Sequence, residues 1–343
     1  MRQLLILIAL VAGLLTPAAG AFGAPQAADE DHTGVGIRLV DAPVATKANP
    51  RARVYIIDHV APATLIERRV EVSNDSGRAA PVVVYSAAAE IADGAFVGLE
   101  GDTPNELSTW TTVDRPTLRL ADGARAMVDV TIRVPDDAAP GEQYGVIWAQ
   151  TSSTPADDGV TQVSRVGIRV YLSVGPGGEP ASDFAVQSLT SARDSSGQPM
   201  VQAQIANTGG RALDLSGSLK LTKGPGGLAA GPFPVSLGTT LGIGETEPIT
   251  ISLDKQLPDG PWKARIEVVS GLLTRSASAT LTFPKGTRAG ETVAPDPEGG
   301  SAAWFWIAGA VLLLALLAFV WWFTARRGRR KSPVPTAAMP APT

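Results

Sequence analysis

The sequence predicts an all-β chain: two tandem immunoglobulin-like antiparallel β-sandwiches followed by one C-terminal transmembrane helix. Three observations support this prediction. Short apolar runs recur roughly every 10 to 15 residues between Gly, Pro, Asn and Asp, as in strands joined by turns. Between the two hydrophobic ends, no amphipathic helix of about 12 residues or more is evident. One long uncharged stretch lies near the C-terminus.

Many of the apolar runs alternate strictly with other residues. This period of two is expected of strands that bury one face in a core. The clearest sets of alternating apolar residues are Val128, Val130, Ile132 and Val134; Val166, Ile168, Val170, Leu172 and Val174; Val201, Ala203 and Ile205; and Ile249, Ile251 and Leu253. The pattern favours sandwiches over an α/β fold.

An internal repeat relates the two predicted sandwiches. The segment Asn74-Asp75-Ser76-Gly77-Arg78-Ala79 matches Asn207-Thr208-Gly209-Gly210-Arg211-Ala212, and each segment follows a predicted strand. Asn and Gly accept left-handed backbone at a tight turn. The repeat therefore predicts one immunoglobulin-like topology used twice, which is a statement about fold and not about chemistry.

Composition sets the predicted boundaries. Residues 175–180 hold two Pro and three Gly and are predicted to be a linker, because such a segment does not continue a strand. The predicted order is a signal peptide (1–24), a disordered acidic start (25–34), a first sandwich (35–175), a second sandwich (181–284), a stalk (285–301), a transmembrane helix (302–323) and a basic, Pro/Ala-rich cytoplasmic tail (324–343).

Both ends of the chain predict export and anchoring in a membrane. Residues 302–323 carry no charge and extend roughly 33 Å as a helix, enough for a bilayer core of about 30 Å. Interfacial tryptophans and a basic cluster flank this span as predicted anchors: Trp304, Trp306, Trp321, Trp322, Arg326, Arg327, Arg329, Arg330 and Lys331. Arg2 and an apolar run up to Leu15 are typical of a secretory signal peptide. The sequence thus predicts a single-pass type I protein of the cell membrane, with the lipid bilayer as a partner.

Composition also excludes several function classes. The chain has no Cys, which removes disulfides, thiolate nucleophiles and thiolate metal sites. Outside Arg2 and the five basic residues after the span, 23 Lys and Arg stand against 33 Asp and Glu, which gives the exported part a charge of about −10. Such a surface repels nucleic acid, so no nucleic-acid partner is predicted.

No catalytic, cofactor or metal site is predicted. His59 follows Asp58 directly, and adjacent strand residues point to opposite faces. No G-x-S-x-G segment accompanies this histidine. The pairs Asp136-Asp137 and Asp157-Asp158 lack the spacing of a calcium-binding loop. The sequence therefore predicts a protein that is not an enzyme.

Aromatic residues and strand edges are the remaining candidates for recognition. Tyr144 and Trp148 are four apart in a predicted strand, so we expect them on one face, in the core. Trp110 lies in a polar segment and is the candidate ligand-binding residue at the surface. An open sheet edge offers another route, because an extended partner segment adds to it through backbone hydrogen bonds.

One series of strand-and-turn segments carries a family resemblance. The segments are GIRL at 36–39, VEVSN at 70–74, AAAE at 87–90, DGAF at 93–96, VTIRVP at 130–135, PGEQYG at 140–145 and GVIWA at 145–149. In these segments the first sandwich resembles the peptidoglycan-binding domain of the WxL-interacting protein family of bacterial surface proteins. The resemblance implies peptidoglycan and a WxL-type surface protein as partners, and it transfers no individual binding residue.

These observations together predict a non-enzymatic, membrane-anchored cell-surface protein of the bacterial envelope. Its expected function is to bind peptidoglycan, to tether a surface protein partner through its immunoglobulin-like domains, or both. Two alternatives remain open at this point: an envelope hydrolase on a β-scaffold that uses His59, and an accessory subunit of a membrane complex.

Overall fold

A computed structural model describes residues 34–152, 161–235, 238–287 and 289–296. The predicted signal peptide, nearly all of the acidic start, the transmembrane helix at 302–323, the cytoplasmic tail and all the anchor residues from Trp304 to Lys331 lie outside the described residues. Within those four ranges, no helix is long and apolar enough to cross a membrane.

The described residues confirm the all-β prediction and place a short helix in the first sandwich. Its elements are β1 (Val35–Leu39), β2 (Ile56–Val60), β3 (Leu65–Asn74), β4 (Ala80–Ala92), β5 (Ala95–Gly98), α1 (Glu106–Trp110), β6 (Thr111–Val113), β7 (Thr117–Leu120), β8 (Ala124–Arg133), β9 (Gly141–Ser152) and β10 (Val163–Val174). Two 3₁₀ turns, Val44–Thr46 and Arg51–Arg53, lie between β1 and β2.

In the described part of the second sandwich there are ten strands. They are β11 (Phe184–Arg193), β12 (Pro199–Asn207), β13 (Leu213–Asp214), β14 (Ser216–Thr222), β15 (Ala230–Pro234), β16 (Thr240–Leu241), β17 (Thr246–Ser252), β18 (Trp262–Ser270), β19 (Leu273–Leu281) and β20 (Ala289–Val293), with a 3₁₀ turn at Pro225–Gly227.

The first sandwich pairs a sheet of order β1-β3-β8-β6 with a larger sheet of order β2-β10-β9-β4-β5, in which β7 also pairs with β4. The pairing is antiparallel except between β2 and β10, which run parallel. The chain passes from the first sheet (β1) to the second (β2). Alternate side chains such as Val130, Ile132 and Val170 meet between the sheets and are at most 1% exposed.

The second sandwich pairs a sheet of order β17-β12-β11-β20 with one of order β15-β14-β18-β19, and β13 and β16 form a short two-stranded ribbon. Strand β20 pairs with β11 through Leu189 and Val293. It lies inside the segment that the sequence predicts as a stalk. The prediction missed it because residues 289–293 hold a single strongly apolar residue, Val293, which packs on the core.

The two copies of the Asn-x-x-Gly-Arg-Ala segment form the same hydrogen-bonded turn. The Asn74 side-chain amide donates to the carbonyls of Arg78 (2.8 Å), Leu120 (3.0 Å) and Ala121 (3.2 Å). The Asn207 amide makes the matching bonds to the carbonyls of Arg211, Leu241 and Gly242, at 2.8, 3.3 and 2.9 Å. Each Asn therefore ties its turn to the loop before the strand that pairs with its own, which is β8 for Asn74 and β17 for Asn207.

Replacing Asn207 with Ala is expected to destabilise the second sandwich, because three carbonyls next to a side chain that is 4% exposed lose their donor. An unsatisfied buried polar group costs roughly 1–3 kcal/mol. Urea unfolding followed by circular dichroism measures the effect. Asn207→Asp, which keeps the shape but removes the N–H donors, should be at least as harmful; an unchanged midpoint for both variants would contradict this account.

Candidate functional site

The two sandwiches meet at an aromatic cluster of the first sandwich, and we call this contact the joint. Tyr171, at the end of β10, is 1% exposed and lies against three rings from the first sandwich, Tyr55, Phe96 and Tyr144, with ring centroids 5.1–6.0 Å away. Ala212 of the second sandwich packs into the same cluster and is also 1% exposed. The joint is therefore closed by apolar packing from both sides.

Asp214 of the second sandwich is the polar centre of the joint. Its carboxylate pairs with Arg51 Nη2 at 2.7 Å and with Arg169 Nη1 at 2.9 Å. The Tyr171 hydroxyl and Thr240 Oγ1 donate to the same carboxylate at 2.9 and 2.8 Å. Burial, and then the Asp214 charge, raise the pKa of the Tyr171 phenol, so this hydroxyl remains a donor.

A second ion pair lies deeper in the joint. Glu142 and Arg211 have side chains 2% and 6% exposed, and Arg211 Nε lies 3.6 Å from Glu142 Oε1. Glu142 Oε2 accepts from the Ala212 amide at 2.7 Å and from the Tyr144 hydroxyl at 2.9 Å. Arg211 also pairs with Glu179 of the linker. One cation and two carboxylates, from both sandwiches and from the linker, thus meet at one point.

A cleft of about 480 Å³ opens beside the joint. Arg51, Tyr55 and Arg169 line it from the first sandwich, and Asp214 and Gly271 line it from the second. The two arginines share Asp214, so the charges on the wall of this cleft already have partners.

Trp148 lies on the outer face of the larger sheet and not in the core. It is on the same face as Tyr144, as the spacing predicts, but that face points away from β3 and β8, and both residues are partly exposed. The indole crosses β10 at Gly167, where a Cβ would come within 2.6 Å of Trp148 Cε3. The Arg165 guanidinium sits over the indole at 4.5 Å, a cation–π contact.

The first half of β10, before the point where β2 joins it, has an unpaired edge in the described part of the chain. Strand β2 pairs with β10 only from Val170 onward, and in the described residues no other strand pairs with Val163–Arg169 on that side. The Gly175 amide donates to the Val60 carbonyl of β2. Backbone groups alternate sides along a strand, and β10 pairs with β9 without a register shift. The N–H and C=O groups of Val163, Arg165 and Gly167 therefore point toward this edge.

Partly exposed apolar residues lie behind the open edge. Val35 and Ile37 of β1 and Val166 of β10 pack on the first core without being fully buried. Val163, at the start of β10, is 54% exposed. We call the edge from Val163 to Arg169, with this apolar strip behind it, the β10 slot.

The other residues singled out in the sequence do not come together at a site. His59 Nδ1 lies 3.1 Å from Ser173 Oγ, but Ser173 is 3% exposed. Asp58 points away from His59 and holds Arg68 with both oxygens at 2.7 Å. Burial raises the pKa of the Asp58 carboxyl and Arg68 opposes that shift. No carboxylate therefore orients the His59 ring within the described part of the chain.

The remaining candidates are spread over the molecule. Trp110 ends α1 and packs, partly exposed, on the first core; its binding role stays a prediction. Asp136 and Asp137 are exposed, and Asp157 and Asp158 lie outside the described residues. Over the described ranges, no group of three His, Cys, Asp or Glu is placed to hold a metal ion.

The fold and the joint define a chain of two β-sandwiches in which part of the β10 edge has no pairing strand among the described residues. No family model and no curated protein matches the sequence. Among solved structures, a chain of the SafA pilin–SafB chaperone complex of Salmonella enterica is 10% identical (TM-score 0.39; 72% of this chain, 96% of that chain). The E. coli chaperone DraB is 14% identical (TM-score 0.36; 66% and 95%). A chain of the CsuC–CsuE chaperone–tip adhesion subunit pre-assembly complex of Acinetobacter baumannii is 13% identical (TM-score 0.35; 67% and 96%). At these identities the likeness concerns the fold alone.

These neighbours contradict the function predicted from the sequence. They are chaperones or complexes of chaperones, and not proteins that bind peptidoglycan or tether a surface protein. They support neither the envelope hydrolase nor the accessory subunit. The physical reason for the error is that the segments behind the prediction specify strands and turns, and an immunoglobulin-like fold carries many unrelated functions.

Replacing Arg211 with Ala is expected to loosen the joint, because it leaves the buried Glu142 charge without its cationic partner. Breaking a buried ion pair from one side costs roughly 3–5 kcal/mol. Urea unfolding should show the loss, and small-angle scattering should show a broader range of angles between the sandwiches. Arg78→Ala is the matched control, since Arg78 occupies the equivalent position of the repeat but is exposed. Equal effects of the two variants would contradict the assignment.

Proposed function

We propose that this chain is a non-enzymatic protein-binding protein that takes up an extended segment of a protein partner in the β10 slot. The observation that carries the proposal is the edge of β10 at Val163, Arg165 and Gly167, with which no strand pairs in the described ranges. Strand addition at such an edge gives affinity through main-chain hydrogen bonds and specificity through alternate side chains.

The dimensions of the slot suit a short strand. From Val163 to Arg169 the open edge extends about 20 Å at roughly 3.3 Å per residue. Three residues offer six backbone groups there, and each hydrogen bond contributes a net of about 0.5–1.5 kcal/mol. Every second side chain of the added strand would face Val35, Ile37 and Val166, which are not fully buried in the free chain. A partner strand with apolar residues at alternate positions fits this surface.

Of the residues that protect natural sheet edges, the edge from Val163 to Arg169 carries Arg165 and Arg169 but neither lysine nor proline, which commonly block edge pairing. No bulge interrupts β10 opposite β9. The slot ends where β2 begins at Ile56, one residue after Tyr55 of the joint. A bound segment would therefore lie next to the second sandwich.

Two sequence-based expectations remain proposals beside this one. Export of the chain, with residues 302–323 as a C-terminal span in the type I orientation, is supported by the hydrophobic and basic segments. The resemblance of the first sandwich to the WxL-interacting family rests on the segments between residues 36 and 149.

Amide hydrogen exchange tests the slot residue by residue. In the free chain, the amides of Val163, Arg165 and Gly167 should exchange fast, while those of Ser164 and Val166, which face β9, should be protected. Adding the peptide Thr-Val-Thr-Val-Asn-Val-Thr-Val-Thr should protect the first group and leave the second unchanged. The alternating pattern within one strand serves as the internal control. Protection of all five amides in the free chain, or peptide-induced protection only elsewhere, would refute the proposal.

A further inference from the structure

We propose that the β10 slot selects partner strands that carry an acidic side chain opposite Arg165. This inference rests on the proposed function and specifies the chemistry of the partner. It follows from the side chains on the outer face of the larger sheet, where the odd-numbered residues of β10 lie.

Arg165 is a cation without an anionic partner in the ranges that the structure describes. It is exposed and makes no ion pair there, whereas Arg169 on the same face is held by Asp214 at 2.9 Å. On one face of a sheet, residues directly opposite each other on neighbouring strands have Cβ atoms about 4.5–5.5 Å apart. A carboxylate on an added strand would therefore reach Arg165.

The Arg165 side chain is held in place before any partner arrives. Its guanidinium stacks 4.5 Å over the Trp148 indole. The indole in turn lies across Gly167, where a side chain would collide with it. Gly167 and Trp148 thus place the Arg165 charge beside the open edge. Because the side chain is already restricted, Arg165 loses less conformational entropy when a partner binds.

The same arginines disfavour pairing between two copies of this chain. In an antiparallel pair centred on Gly167, Arg165 of one copy faces Arg169 of the other. Moving this register by two residues places the two Arg165 side chains diagonally opposite each other. Moving it by four residues places them directly opposite. Like charges at such positions are destabilising. The occupant that the slot favours is therefore a different, acidic strand and not a second copy.

The inner face of the larger sheet determines which residues the partner strand carries on either side of its acidic residue. Residues that flank the acidic position on the added strand would point between the sheets, toward Val35, Ile37 and Val166. We therefore expect partner segments to alternate apolar residues with polar ones and to include Asp or Glu in the polar series, opposite Arg165.

The experiment compares three peptides that differ only at the centre: Thr-Val-Thr-Val-Xaa-Val-Thr-Val-Thr with Xaa as Asp, Asn or Lys. Fluorescence anisotropy with the purified full chain measures each dissociation constant. A cross-strand charge pair contributes about 0.2–1 kcal/mol in either direction, so the Asp peptide should bind about 2- to 30-fold more tightly than the Lys peptide, with Asn between them. Arg165→Gln should remove the difference, and Arg165→Glu should reverse the order.

Arg119→Glu is the matched control, because Arg119 is an exposed arginine on β7 of the same sheet, which pairs with β4 and not with β10. It should leave the order of the three peptides unchanged. Equal binding of all three peptides, with edge amides still protected, would overturn the role of Arg165 and leave the proposed function intact. Failure of every peptide to bind would refute both.

Discussion

The core, the joint and the open edge all depend on one constraint, which is the alternation of β10 side chains between the core and the outer face of the sheet. Its even-numbered side chains, from Val166 to Val174, fill the first core, and its odd-numbered side chains lie outside. Pairing with β9 over twelve residues fixes this phase. A slip by one residue would turn Arg165 and Arg169 into the core and withdraw the apolar residues from it. The core, the joint and the open edge are therefore set by a single register.

The buried pair of Glu142 and Arg211 explains why the second sandwich has a defined place beside that strand. Either charge alone would be a costly buried ion, so the pair favours the one arrangement that keeps them together. The linker, rich in Gly and Pro, does not impose this arrangement by itself. Because the joint also brings Asp214 to Arg169, it leaves Arg165 as the arginine of β10 that an outside partner can engage.

Sequence patterns predicted much of the fold and little of the site. The alternating residues of β8 and β10 lie on the buried faces that their period indicates, and the repeated Asn turn is the same in both sandwiches. The period of two correctly predicted that Tyr144 and Trp148 share one face of the sheet. It did not predict that this is the outer face, because alternation does not state which face meets the core. The function failed for a related reason: the segments that suggested a peptidoglycan-binding family are those that any immunoglobulin-like domain needs to turn and pair its strands.

The sequence by itself determined that the chain forms strands, where the turn residues lie, and that its fold, without Cys, depends on packing and hydrogen bonds. These properties are local, because a period of two and an Asn-Gly turn act within a few residues. Only the tertiary structure decided which arginines are neutralised and which part of β10 lacks a neighbour on the β2 side. Arg51 and Asp214 are 163 residues apart, and β2 covers one half of β10 and not the other. Such pairings depend on the way whole sheets meet in space, which no local pattern encodes.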